Sequence, residues 1–312
     1  MVQTKADNND FQFENSKAEL RTKCRSIGEK VKKVDNFLLL ISELELPEHV
    51  AVNIKQIDCT VSSIDKQLSR KKMKVSIFGE TSSGKSTTAN ALIGKDLLPS
   101  GMADTTSCFL ELQIMKETSY NNSYFVVCDG VDDVGTEHQK HFLDESGIEQ
   151  LEDMSSAGSE STLGASKIIR IFLKPQDVNA SLLARDIQIM DCPGISSCRE
   201  LGDKVKKFCA DSDVHIFVVS SKAVMTPEAM DHFLEVGKRL PKPDVIIAFT
   251  HWDLSVNDRH PERVKVRHVD KAFELLKKLG TVEGREEAEQ RCFFISSTEA
   301  KDIAVGNGNG EF

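Results

Sequence analysis

The sequence predicts an α/β fold: a mostly parallel central sheet flanked by helices and preceded by an antiparallel helical pair. Three observations carry that expectation. From Met73 onward, short runs rich in Val, Ile and Phe alternate with longer amphipathic stretches, the rhythm of strands and helices in a sheet covered on both faces. A glycine-rich turn joins the first such run to the first such helix. Ahead of them, between Asn15 and Ile64, apolar residues recur at three- and four-residue steps.

Residues 1–14 are polar and expected to be disordered. Leu20, Cys24, Ile27, Val31, Val34, Leu38 and Ile41 then mark one face of an amphipathic helix, which Pro47 ends. Val50, Ile54, Ile57, Val61 and Ile64 mark a second helix leading into Arg70-Lys71-Lys72. Two antiparallel helices so placed, over residues 15–72, have an apolar stripe to bury and need a partner for it. Beyond Met73 the expected order is strand Lys74–Phe78, helix Gly84–Gly94, strand Phe109–Met115 and an acidic inserted helix over 131–154 with a Gly/Ser tail. Strands Ile168–Leu173 and Ile187–Met190, helix Leu201–Cys209, strand Val214–Val219 and helix Pro227–Arg239 follow. Strand Val245–Phe249, helix Glu262–Leu279, strand Cys292–Ile295 and a flexible tail over 301–312 complete the chain.

With 312 residues, 39% of them hydrophobic, the chain can bury a substantial core and corresponds to about two domains of ~150 residues. At 29% charged and without low-complexity bias, it is not disordered over most of its length. The longest apolar runs, Phe37–Ile41 and Val245–Phe249, fall far short of the roughly 18–20 residues a spanning helix needs. The polar N-terminus does not read as a secretory signal, and no lipid-anchor motif is present. Eight cysteines are scattered without a C-x-x-C pair, which reads as reduced core thiols of a cytosolic protein.

The net charge of −9 is unevenly placed. Residues 129–160 carry ten acids against Lys140 alone, whereas 16–74 carry thirteen Lys and Arg against eight acids. A basic arm on an acidic globule does not suit a dedicated nucleic-acid binder.

Directly after the first strand stands Gly79-Glu80-Thr81-Ser82-Ser83-Gly84-Lys85-Ser86, a G-x-x-x-x-G-K-[ST] phosphate loop, continued by Thr87. Its glycines let successive backbone N–H groups converge on phosphates at a helix N-terminus. Lys85 supplies a mobile cation, and Ser86 a hydroxyl for Mg²⁺. Asp191-Cys192-Pro193-Gly194 closes a later strand: Asp191 suits Mg²⁺, and the Gly194 amide suits the γ-phosphate. Thr250-His251-Trp252-Asp253 closes another. The Asp253 carboxylate can accept from the N1–H and 2-amino groups of guanine, a polar match that rejects the wrong base by roughly 10⁴-fold. His251 stands where a lysine stem usually covers the base, and its imidazole could stack there instead. Ser296-Ser297 ends the last strand, where a backbone amide can meet guanine O6. Together these motifs point to GTP or GDP with Mg²⁺.

With those residues laid out, the chain resembles the GTPase domain of mitofusins, in the dynamin superfamily. The resemblance rests on Phe78–Thr87, on Asn90-Ala91-Leu92 with Leu98-Pro99-Ser100-Gly101, and on Thr105–Leu110. Asp191, Pro193–Ile195, Lys207–Cys209, Asp211, Asp213-Val214 and Trp252-Asp253 extend it, so that it spans about residues 15–300. It implies a P-loop GTPase domain over 73–300, with residues 15–72 as the helical segment that precedes it. Thr106 becomes the switch I threonine that completes the Mg²⁺ and γ-phosphate contacts, with Thr105 the alternative. Ser82 offsets charge between the β- and γ-phosphates. Trp252 either borders the base or packs as a core aromatic.

Two departures stand out. Asp104 occupies the switch I position where vertebrate mitofusins carry a histidine that assists hydrolysis, and no catalytic Gln is evident, so slow or dimer-dependent hydrolysis is expected. The family's stalk, membrane hairpin and coiled-coil tail have no counterpart, so a fragment, a truncated isoform or a partial gene model is expected. The resemblance implies outer-membrane fusion at the cytosolic face of mitochondria, or a cytoplasmic location if the chain is complete. The expected partner is a second copy, through the GTPase face, with membrane contact only through segments absent from this chain. The alternative is a weakly hydrolysing GTP-binding regulator that pairs with a full-length homologue. An ATPase or nucleoside kinase would leave Thr250–Asp253 unexplained.

Overall fold

The computed structural model describes residues 19–33, 53, 56–57, 61, 72–100, 106–115, 122–129, 138–157, 159–178, 186–194, 201–240 and 244–305. The chain divides into two compact units, residues 1–71 and 72–312. In the first, residues 19–33 form a helix, and residues 53, 56, 57 and 61 are helical. A Cβ on Gly28 would touch Val61 at 3.4 Å, so the two helical segments meet there. The expected disorder of residues 1–14 lies outside the described residues, as do 306–312 of the expected tail.

In the second unit, nine strands among the described residues form one sheet in the order β4-β3-β5-β2-β6-β1-β7-β8-β9. These are β1 (Met73–Gly79), β2 (Phe109–Ile114), β3 (Tyr124–Cys128), β4 (His141–Phe142), β5 (Ile168–Leu173), β6 (Ile187–Asp191), β7 (Val214–Ser220), β8 (Asp244–Thr250) and β9 (Cys292–Phe294). The helices are α1 (Lys85–Ile93), α2 (Glu145–Ser155), α3 (Leu201–Cys209), α4 (Pro227–Arg239), α5 (Trp252–Ser255), α6 (Pro261–Leu279), α7 (Arg285–Gln290) and α8 (Ser297–Val305).

Strands β6, β1, β7, β8 and β9 run parallel. Their near-continuous apolar sequences follow from burial on both faces. Neighbours along a strand go to opposite cores: Phe78, Phe217 and Ile247 pack on one side, Ile77, Val218 and Ala248 on the other. The sheet reverses at β2, which is antiparallel to β6, and β3 is antiparallel to both β4 and β5.

Several elements differ from the sequence expectation. Strands β3 and β4 were not foreseen, and the acidic helix begins only at Glu145. Asp144 sets that start by accepting a hydrogen bond from the Gly147 amide at 2.9 Å. The last helix, α8, runs to Val305, past residue 300 where the tail was expected. The topology places the C-terminal ends of β6, β1, β7, β8 and β9 along one edge of the sheet, where ligands of open α/β folds bind. Because β2 is reversed and Leu110 pairs with Asp191, the residues that lead into β2 arrive at that same edge.

Candidate functional site

The phosphate loop leaves β1 at Gly79, where a Cβ would lie 2.5 Å from both the Val218 carbonyl and Ser83 Oγ. No side chain fits there. Ser82, exposed at the loop tip, and Gly84 adopt left-handed backbone, with φ of 57° and 89°. Gly84 begins α1 with no side-chain cap and no acid in the first turn. The helix therefore presents amides that lack intrahelical partners, along with the positive end of its dipole.

Lys85 is buried, and its ammonium donates to the Glu80 carbonyl at 2.8 Å. Burial pulls its pKa below the ordinary lysine value, against the charges of Asp191, Cys192 and Glu80. Ser86 Oγ donates to Asp191 Oδ2 at 2.8 Å and lies 3.0 Å from Thr106 Oγ1. Asp191 is completely buried, and its Oδ1 has no hydrogen-bond partner among the described residues. Burial pushes its carboxyl up to about 6, opposed by the Lys85 charge and the Ser86 hydrogen bond. Two hydroxyls and a carboxylate oxygen thus gather with a second carboxylate oxygen unspent. That is a donor set suited to a hard divalent cation, and the residues fit Mg²⁺.

Gly194 approaches the phosphate loop so closely that a Cβ would meet Thr81 Oγ1 at 2.6 Å. The loop and the end of the Asp191 motif are therefore in contact. Asp104 and Thr105 lie outside the described residues, whereas Thr106 is buried at the site.

At the end of β8, Thr250 is buried, and its hydroxyl donates to the Ser83 carbonyl at 2.6 Å. His251 turns the chain in left-handed backbone at φ 57° and starts the short helix α5. Its Nδ1 lies 3.2 Å from the hydroxyls of both Ser220 and Thr250. Burial first, and then the Lys222 charge, push His251 below the ordinary histidine value, despite Asp253. These hydroxyls hold the ring at its Nδ1 edge. Trp252 packs edge-on against Phe294 at 4.7 Å, and its amide donates to the Ile295 carbonyl at 3.2 Å. Packing against Phe294 is thus its observed contact. Asp253 stands half-exposed in the first turn of α5. Ser297 opens α8, and its hydroxyl lies 2.9 Å from that of Thr88 in α1. The fourth motif is therefore bonded to the phosphate-loop helix, with Ser296 just ahead of it.

Three positioning contacts were not foreseen from the sequence. Thr88 is one. Asn90 is another: fully buried, it accepts from the Leu98 amide and donates to the Leu98 carbonyl, both at 2.8 Å. The third joins the acidic insert to the approach to β2. Thr106 bridges Ser156, and the Ser107 amide donates to the Ser155 carbonyl at 2.8 Å. Asn90 did stand in a recognised run, but nothing in local spacing marks Ser155 and Ser156.

The model of the dynamin family matches residues 75–249, more than half of the chain. The chain is 30% identical over 251 residues to the transmembrane GTPase Marf of Drosophila melanogaster, covering 80% of this chain and 29% of Marf. It is 29% identical over 272 residues to human mitofusin-2, covering 84% of this chain and 33% of that protein. The chain thus spans about a third of the length of these relatives. Among solved structures, one from an oligomerised bacterial dynamin pair that senses and tethers membranes aligns with a TM-score of 0.49 at 17% identity. It covers 90% of this chain and 40% of the other.

Proposed function

The chain belongs to the dynamin family and is mitofusin-like in sequence, and we propose that it binds guanine nucleotide with Mg²⁺ and hydrolyses GTP to GDP and phosphate. One observation supports this reading above the others. Thr106 Oγ1 and the buried Asp191 carboxylate both lie within 3.0 Å of Ser86 Oγ, with Asp191 Oδ1 unpartnered, beside an uncapped helix N-terminus and a buried lysine.

Mg²⁺, held by Ser86, Thr106 and Asp191, would neutralise charge on the β- and γ-phosphates. The chain's own groups do the rest. The backbone of Gly79–Thr87 cradles the phosphates, and Lys85 exchanges the Glu80 carbonyl for a phosphate oxygen. Ser82 offsets charge between the β- and γ-phosphates. The Gly194 amide, which abuts Thr81 of the phosphate loop, registers the γ-phosphate. Asp253 accepts from the guanine edge, with Thr250, Ser296 and Ser297 setting the walls around the base. Asp104, in switch I, either holds a water or acts with Mg²⁺, and hydrolysis is slow or dependent on pairing.

The reading extends to pairing of two copies through the nucleotide face, or of this chain with a full-length homologue. The cycle then serves outer-membrane fusion at the cytosolic face of mitochondria. Similarity to mitofusin-2 and Marf supports this extension. Among the described residues, no helix is long and apolar enough to cross a membrane.

Titration of fluorescent GTP and ATP analogues against the purified chain with Mg²⁺ tests the core of the reading. Preferential GTP binding is expected, and equal affinity for both would end it. Turnover per molecule is expected to rise with protein concentration; a flat dependence removes the pairing.

A further inference from the structure

We propose that Cys192 and Cys209 form a redox modification site, in which a hydroperoxide converts the two thiols into a disulfide tying the Asp191 strand end to the end of α3. Their sulfurs lie 3.6 Å apart, and both residues are fully buried. A disulfide needs about 2.05 Å between sulfurs, so the pair must close by roughly 1.5 Å. Cys192 is held by its neighbours in the strand end, its amide donating to the Ile77 carbonyl at 3.2 Å. Cys209 is the last residue of α3, one position beyond Phe208.

The surroundings favour Cys209 as the attacking thiol. The buried Lys74 ammonium donates to the Phe208 carbonyl at 2.7 Å and to Asp211 at 2.8 Å. Burial opposes ionisation of Cys209, but the Cys192 hydrogen bond, the Lys74 charge and Ser76 outweigh it and hold the thiol below its ordinary value. Cys108 and Cys292, by contrast, are pushed up to about 12, chiefly by burial.

The chemistry balances with hydrogen peroxide as oxidant. The Cys209 sulfur attacks one peroxide oxygen and breaks the O–O bond, giving a sulfenic acid and, after proton transfer, water. The Cys192 sulfur then attacks the sulfenic sulfur, and the S–O bond breaks to release a second water. The two thiols together lose two hydrogens and two electrons.

Cys192 sits between two residues that touch the phosphate loop and its helix. Asp191 is bonded to Ser86 at 2.8 Å, and Gly194 abuts Thr81. Drawing Cys192 toward α3 displaces one or the other, so the disulfide weakens nucleotide binding. That consequence rests on the nucleotide reading above; the disulfide itself does not.

The test is to treat the purified chain with hydrogen peroxide, digest it without reduction and map linked peptides by mass spectrometry. GTP-analogue affinity is measured before oxidation, after it and after dithiothreitol. A peptide pair joining Cys192 to Cys209 is expected, with affinity lowered roughly tenfold or more and restored by reductant. Cys209→Ser is expected to keep the reduced protein's affinity and to abolish the peroxide effect. Absence of the linked pair, or affinity unchanged once the link has formed, overturns the inference. A reduced protein that binds no GTP would instead sink the nucleotide reading, with the mapped link still deciding whether the disulfide exists.

Discussion

The hydroxyl of Thr250 donates to the carbonyl of Ser83 at 2.6 Å, bonding the end of β8, where Thr250–Asp253 stands, to the G-x-x-x-x-G-K-[ST] loop. A Cβ on Gly84 would stand only 3.5 Å from the Thr250 side chain, so the two segments are also in close packing. Thr250→Val keeps the branched shape but strands the Ser83 carbonyl. An unsatisfied buried acceptor costs about 1–3 kcal/mol. Urea unfolding is expected to show that loss, together with weaker GTP binding, because the loop loses its anchor. Unchanged stability would mean that water replaces the hydroxyl.

Lys85→Ala should separate affinity from stability. Charge-assisted phosphate bonds are worth about 1.5–3 kcal/mol each, so GTP affinity is expected to fall at least tenfold. The nucleotide-free fold, relieved of a buried ammonium, should be no less stable. Isothermal titration and thermal unfolding of the same sample check both arms. Retained affinity would place the phosphates elsewhere.

Asp253→Asn exchanges an acceptor for a donor at the position proposed to read guanine N1–H and the 2-amino group. Xanthine nucleotides, which offer a carbonyl in place of the amino group, should then compete better than guanine ones. A competition titration with XTP and GTP measures the switch. Persistent guanine preference would show that Asp253 does not read the base.

Asp191 gives the site a pH signature. Its carboxyl is pushed up to about 6 by burial, above the ordinary value near 3.8. The folded state therefore prefers the protonated form. The stability this confers on the nucleotide-free protein is fully present below about pH 4 and is lost as pH rises through about 6, a change of roughly 3 kcal/mol. Mg²⁺ demands the ionised form, so Mg²⁺-dependent GTP binding should weaken as pH falls below about 6. Unfolding curves and Mg²⁺ titrations between pH 4 and 8 should move in opposite directions; Asp191→Asn should flatten both.

The site was largely legible in the sequence because its parts are local. The phosphate loop, the Asp191 motif, Thr250–Asp253 and Ser296-Ser297 each occupy a few consecutive residues at a strand end, and each residue type has a chemical reason to be there. Less legible were elements whose cause is tertiary. Tyr124–Cys128 becomes a strand by pairing with β5, a partner distant along the chain. Acidic residues suggested a helix from 131, but Asp144 caps it only at Glu145. A flexible tail was expected from 301, whereas α8 continues to Val305 packed against α1.

By itself the sequence determined the chemistry available: an amide-rich turn, a lysine, two hydroxyls, and two carboxylates, one suited to a cation and one to a base. Local backbone preference and side-chain identity suffice for that. Only the tertiary structure decided which of these groups meet. Thr106 reaches Ser86 because β2 runs antiparallel to β6, and Cys192 reaches Cys209 because α3 ends beside the Asp191 strand. Such meetings depend on strand order and register, which are set by how two apolar cores close on opposite faces of the sheet rather than by the spacing of residues along the chain.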